Sequence, residues 1–161
     1  MKAEHFSPDV RELIALLAKH QVRCLLVGGE AVIYHGYPRL TGDVDLWFEQ
    51  EPANAQRLFD ALSEFWAGSV PGLATAGELL EPGVVVQFGR PPHRVDFLSS
   101  ADGLRFAEAW PSRVTEVIES GERQTSIAVI SLADLIKNKR AAGRHRDLDD
   151  VEHLEPLLRP R

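Results

Sequence analysis

The segment VGGEAVIYHGYPRLTGDVDLWF, residues 27 to 48, puts a glycine pair at the start of a short helix. After a turn-rich loop it puts two aspartates, one residue apart, on a strand. The apolar run VRCLLVG feeds the glycine pair and reads as a buried strand. Strand, helix and strand in so short a stretch predict an α/β chain, a mixed β-sheet with flanking helices. Side chains of a strand alternate between its faces, so Asp43 and Asp45 project from the same face, close together. Like charges that near repel and are tolerated mainly where a cation lies between them, and hard oxygen ligands suit Mg²⁺. Gly28 and Gly29 have no side chain to keep a ligand off the backbone, and the helix they open offers N–H groups suited to an anion. An anion cradle beside a cation clamp points to chemistry on a nucleoside triphosphate.

A length of 161 residues favours one domain, 1–161, able to bury a core without staples. The net charge of −6 argues against a chain that coats itself in nucleic acid. A local basic strip exists nonetheless: Lys137, Lys139, Arg140, Arg144 and Arg146, with His145 and no acid between them. Cys24 is the only cysteine, so no disulfide can form within the chain, as suits a reducing cytosol. The N-terminus MKAEHFSPDV lacks an apolar signal core and no run approaches a membrane span, so a cytoplasmic protein with no membrane partner is expected.

Ser7-Pro8 reads as an N-cap and first helical residue, with Val10, Leu13, Ile14 and Leu17 as the buried face that follows. A helix from about Pro52 to Trp66 carries Ala55, Leu58, Phe59, Leu62 and Phe65 as its core stripe. Residues 68–83 read as a loop with one turn of helix. VVVQFG and HRVDFLSS flank the turn GRPPH as a hairpin, which places Asp96 on a strand in the same apolar-acid-apolar setting as the first two aspartates. A second hairpin spans Val114 to Ile130 and turns at Gly121. Two helices end the chain, Ser131 to Ala142 and Asp147 to Leu158, with Gly143 closing the first and Asp147 with Asp150 read as a capping box for the second.

Taken together, Gly28, Gly29, thirteen residues, Asp43, a hydrophobic residue, Asp45 and a later strand-borne Asp96 resemble the nucleotidyltransferase superfamily typified by DNA polymerase β and kanamycin nucleotidyltransferase. Within it the chain is similar to small bacterial nucleotidyltransferase-like proteins related to the toxins of type IV toxin-antitoxin modules. The run Arg39, Thr41, Asp43, Asp45 and the stretch from Lys139 to Asp150 carry that likeness, which spans roughly residues 23 to 155. The resemblance implies a minimal polymerase β-like fold, with a core at 23–130 and C-terminal helices at 131–158. It also implies an NTP, ATP among the candidates, as substrate and two Mg²⁺ ions, replaceable by Mn²⁺, as cofactors.

On this reading Asp43 and Asp45 hold the metal that chelates the triphosphate, and Asp96 joins them to hold the second, which acidifies an acceptor hydroxyl. Asp96 then takes the hydroxyl proton, as the resemblance implies for the third carboxylate. Arg39, able to meet a phosphate bidentately, and Thr41 lie in the loop feeding the aspartate strand. Lys139 shares a helix face with Leu132, Leu135 and Ile136, so an inward lysine there calls for an anion, a triphosphate or an active-site acid. Glu30, where many relatives have serine, either opposes phosphate or points away as a first-turn acid.

Each residue also has a plainer reading. Strand acids are often solvated, a glycine pair often a tight turn, and a basic strip often a helix C-terminus. His145 and His153 read as a solvated face, and Trp47, Trp66 and Trp110 as core or rim. The expected activity is transfer of a nucleoside monophosphate to an acceptor hydroxyl, on a tRNA end or a protein side chain. Transfer to an antibiotic-like small molecule is one rival, and an antitoxin-like module that binds NTP or a partner without turnover is the other. A homodimer is one way to supply the missing wall of the cleft.

Overall fold

The computed structural model describes residues 1–158. Six strands form one mixed sheet, flanked by six α-helices. Helix α1 (Pro8–Lys19) starts where Ser7 Oγ accepts from the Val10 amide, and it buries Val10, Leu13, Ile14 and Leu17. Strand β1 (Cys24–Val27) is buried along its length and runs straight into α2 (Gly28–Tyr34). Strand β2 (Asp43–Phe48) alternates, burying Val44 and Leu46 while Asp43 and Asp45 face the other way. Trp47 closes that second face: it is 2% exposed and sits edge-on to Phe106 of the short helix α4 (Phe106–Ala109), so it is core.

Helix α3 (Pro52–Phe65) departs from the expected stripe. Asn54 and Ala61 are fully buried, whereas Phe59 and Phe65 are only partly so. Asn54 earns its place by bonding: its Nδ2 donates to the carbonyls of Arg23 and Glu49 at 3.0 and 2.9 Å, and its Oδ1 accepts from the Arg23 amide at 2.8 Å. The helix is thereby tied to the outer ends of β1 and β2, and a buried amide is satisfied.

The two hairpins are β3 (Val85–Phe88) with β4 (Arg94–Leu98), and β5 (Val114–Ser120) with β6 (Arg123–Val129). The strand order β3-β4-β2-β1-β6-β5 puts one hairpin on each edge. β1 and β2 run antiparallel, while β2–β4 and β1–β6 are parallel, which makes the sheet mixed. No helix among the described residues is long and apolar enough to cross a membrane.

At the C-terminal end, α5 (Leu132–Ala142) is capped by Ser131, whose Oγ accepts from the Asp134 amide at 3.1 Å, and is closed by Gly143 in the left-handed region at φ 67°. Helix α6 (His145–Leu154) begins two residues earlier than the sequence suggested. Arg144 is extended at the N-cap, and Asp147 sits in the first turn, where its carboxylate accepts from the Arg144 amide at 3.3 Å. Asp147 is therefore the returning acid of the first turn and not the cap. A 3-10 turn, Glu155–Leu158, replaces the expected last turns, at a point where Pro156 has no amide to donate. The architecture is that of a polymerase β-like fold.

Candidate active site

Parallel pairing of β2 with β4 sets Asp43 opposite Arg94 and Asp45 opposite Asp96. Side chains two apart on one strand share a face, so both strands turn these four residues into one cleft. Gln87, paired with Asp96 across β3 and β4, donates from Nε2 to Asp96 Oδ2 at 3.2 Å. Arg94 spans the two strands. Its Nη2 donates to Asp43 Oδ2 at 2.8 Å and to Asp96 Oδ2 at 3.3 Å. Its Nε lies 3.1 Å from Asp96 Oδ1 but out of line for a hydrogen bond. Among the described residues, Arg94 Nε, Asp96 Oδ1 and Asp43 Oδ1 are thus buried atoms with no hydrogen-bond partner.

Asp45 lies among the acids and, among the described residues, has no ion pair of its own. Burial, then the charges of Asp96 and Asp43, push it up to about 6, against the opposing pull of Lys139 and Arg94. Its carboxylate also explains Gly28. At φ 64° the backbone favours glycine, and a Cβ there would overlap Asp45 Oδ2. At Gly29 a Cβ would meet Thr41 Oγ1 at 2.5 Å. The space left by the glycine pair is therefore used first by the protein's own Asp45 and Thr41. Thr41 in turn donates to the Asp43 carbonyl at 3.3 Å, which fixes the loop that leads into β2.

Lys139 is buried, and its ammonium meets Asp147 and Asp150 at 3.0 Å each, not the three strand aspartates. Arg39 clamps Asp150 with Nε and Nη2 at 2.6 and 2.8 Å, so its fork is spent on a carboxylate of α6. Arg144 Nε adds a 2.7 Å bond to Asp147. Burial alone would raise Asp147, but hydrogen bonds from Arg144 and Lys139 outweigh it and hold the carboxyl below its ordinary range. Glu30 is taken up by His5 and does not line the cleft. His153 stacks on Tyr37 with ring centroids 3.9 Å apart, on the outer side of α6.

The cleft has two adjoining parts. One of about 320 Å³ holds Asp43, Arg94, Asp96 and Asn138, and one of about 300 Å³ holds Gly29, Arg39, Thr41 and Arg146. Gly28, Asp43, Asp45, Lys139, Arg144 and Asp147 line both. A larger groove of about 700 Å³, between α1 and the β5–β6 hairpin, contains Lys19 and Glu64, which are already paired with each other, so size alone does not mark the site.

The structure brings every sequence-predicted site residue to this cleft: the three aspartates, the glycine pair, Arg39, Thr41 and Lys139. It adds Arg94, Arg144 and Asp147 to the lining and, buried behind it, Asp150, which holds Arg39 and Lys139; sequence reasoning had assigned none of these to the site. The signal for Arg94 was its position two residues before Asp96, and for Asp147 and Asp150 it was the inward lysine that needed anions. Among the described residues, no three His, Cys, Asp or Glu side chains are already set to hold a metal ion. The donors here are hard carboxylate oxygens of the kind Mg²⁺ prefers, with Arg94 lying across two of them. No curated protein matches the chain. The family model described as nucleotidyltransferase of unknown function (DUF6036) matches residues 8–157, a span that includes the whole lining of the cleft, and the chain belongs to that family.

Proposed function

We propose that this cleft transfers a nucleoside monophosphate from an NTP to an acceptor hydroxyl, with divalent metal as cofactor. The observation that carries the reading is the arrangement of Asp43, Asp45 and Asp96 on one face of two neighbouring strands, with Asp45 pushed up to about 6 by burial and by its neighbours' charge. The orphaned Oδ1 atoms of Asp43 and Asp96 fit the same interpretation, since buried oxygens without donors are suited to a cation. Asp43, Asp45 and Asp96 would hold Mg²⁺ or Mn²⁺, which when bound neutralises triphosphate charge and acidifies the attacking hydroxyl.

The chain's own residues do the rest. Asp96, whose Oδ2 is held by Gln87 and Arg94, accepts the acceptor's proton through its carboxylate. The backbone at Gly28 and Gly29, which lines the cleft, would meet the phosphates. Arg39 and Lys139, neutralised by Asp150 and Asp147, place α6 against the cleft. Arg144, bonded to Asp147 through Nε, has a side chain that is 79% exposed and lines both halves of the cleft, so the rest of its guanidinium is placed to reach a phosphate. The favoured acceptors are a tRNA end or a protein side chain.

Incubation with each α-labelled NTP, Mg²⁺ and total cell extract tests the assignment. Label on RNA or protein supports it, and label on a small molecule moves the acceptor to the antibiotic-like class. NTP binding without label on any fraction overturns the enzymatic reading in favour of a binding module.

A further inference from the structure

We propose that Arg94 is an internal cation that occupies the carboxylate site until a divalent ion arrives with its nucleotide. Metal alone then binds the free protein weakly. The inference rests on the reading of Asp43, Asp45 and Asp96 as the ligands of that ion.

Three observations lead to it. Arg94 bonds the same carboxylates a metal would need: it is the cross-strand partner of Asp43 and shares a strand face with Asp96, and its Nη2 donates to both. The fit is incomplete: among the described residues Asp43 Oδ1 is buried with no hydrogen-bond partner, and Arg94 Nε and Asp96 Oδ1 sit 3.1 Å apart but out of line for a hydrogen bond. A guanidinium so poorly aligned is a poorer occupant than an ion that those oxygens could close around. Finally, Arg94 is free to leave. Its side chain is 32% exposed and lines the cleft, whereas Arg39 in the same protein shows what a locked arginine looks like, 12% exposed and bidentate on a carboxylate that is itself fully buried.

Displacement has a destination. A triphosphate entering the cleft offers oxygens that match the guanidinium fork. The nucleotide that draws Arg94 off the aspartates thereby raises their affinity for metal, and metal raises the affinity for nucleotide by the same factor. Arg94 is in this sense a positioning residue that couples the two ligands.

The experiment is titration of the metal-free protein with Mn²⁺ alone, followed by electron paramagnetic resonance, on the parent, Arg94→Gln, Arg94→Lys and Arg146→Gln. Arg146 lines the same cleft but, among the described residues, bonds only the Leu40 carbonyl, so its loss controls for long-range charge. Arg94→Gln is expected to bind Mn²⁺ about ten-fold or more tightly than the parent, the scale on which a neighbouring charge alters a carboxylate, while Arg146→Gln changes it by less than about three-fold. Arg94→Lys keeps the charge but cannot bridge two carboxylates, and it is expected to fall between the parent and the glutamine variant. It carries the test alone if Arg94→Gln fails to fold. Equal or weaker Mn²⁺ binding in the Arg94 variants overturns the role of Arg94 while leaving the metal reading intact. Absence of Mn²⁺ binding in every protein overturns both.

Discussion

A carboxylate crowded by two others and partly withdrawn from water keeps its proton longer than a free aspartate, and Asp45, pushed up from 3.8 to about 6, is in that position. Between those values the folded chain binds more protons than the unfolded one, so stability falls as pH rises from about 4 to about 6 and the penalty is complete above that. Asp45→Asn is therefore expected to raise the metal-free melting temperature at about pH 7.5 by roughly 5 °C, from about 2 kcal/mol, and to leave it almost unchanged near pH 4. Scanning calorimetry at the two pH values checks this, and an equal gain at both would refute the electrostatic cause. Asp43 behaves differently. The sequence suggested that neutralising either aspartate relieves repulsion, but Asp43 is paired with Arg94 at 2.8 Å, so Asp43→Asn is expected to give no gain or a small loss. Adding Mg²⁺ together with NTP is expected to stabilise the parent and to leave Asp45→Asn unmoved.

At the scale of elements, α5 and α6 are joined by buried charge, with Lys139 from one and Asp147 and Asp150 from the other, and Arg39 reaching in from the loop before β2. Removing one member of such a network strands the others away from water. Asp150→Asn is expected to cost about 3 kcal/mol by urea denaturation, because Arg39 and Lys139 lose their shared anion, while Lys137→Ala on the exposed face stays within about 0.5 kcal/mol. A cost for Asp150→Asn no larger than that of Lys137→Ala would show that the network does not hold the helices. It follows that loss of nucleotide binding in Lys139→Ala would report in part a displaced α6. Much at this scale was legible beforehand. Period-two alternation placed Asp43, Asp45 and Asp96 on sheet faces, and the Ser7 cap marked the start of α1, while Ser131, read as the first residue of α5, is its cap. The start of α6 was misread because Asp147 has the side chain of a cap, and only the left-handed turn at Gly143 moves the cap back to Arg144. Arg94 obeys the same alternation that revealed Asp96, yet an arginine at a strand end reads first as a solvated charge. Its partners are fixed by the pairing of β2 with β4, a long-range register with no local signal.

At the scale of the molecule, the central strands β4, β2 and β1 carry the acids and the glycine turn, and the two hairpin edges keep them away from the sheet's margins. Helix α5 packs against α2 and α6, so residues more than a hundred positions apart, such as Arg39 and Asp150, meet beside the cleft. None of that closure is visible in local periodicity. The division of labour we propose is that Asp43 and Asp45 anchor the metal-bound nucleotide while Asp96 acts on the acceptor. The most direct test is to measure NTP affinity and transfer of label from an α-labelled NTP, with Mg²⁺, on the same preparations of the parent and of Asp96→Asn. The expected result is nucleotide affinity within about three-fold of the parent with transfer reduced by about 100-fold or more, the range for losing a general base. Transfer at the parental rate by Asp96→Asn would contradict it.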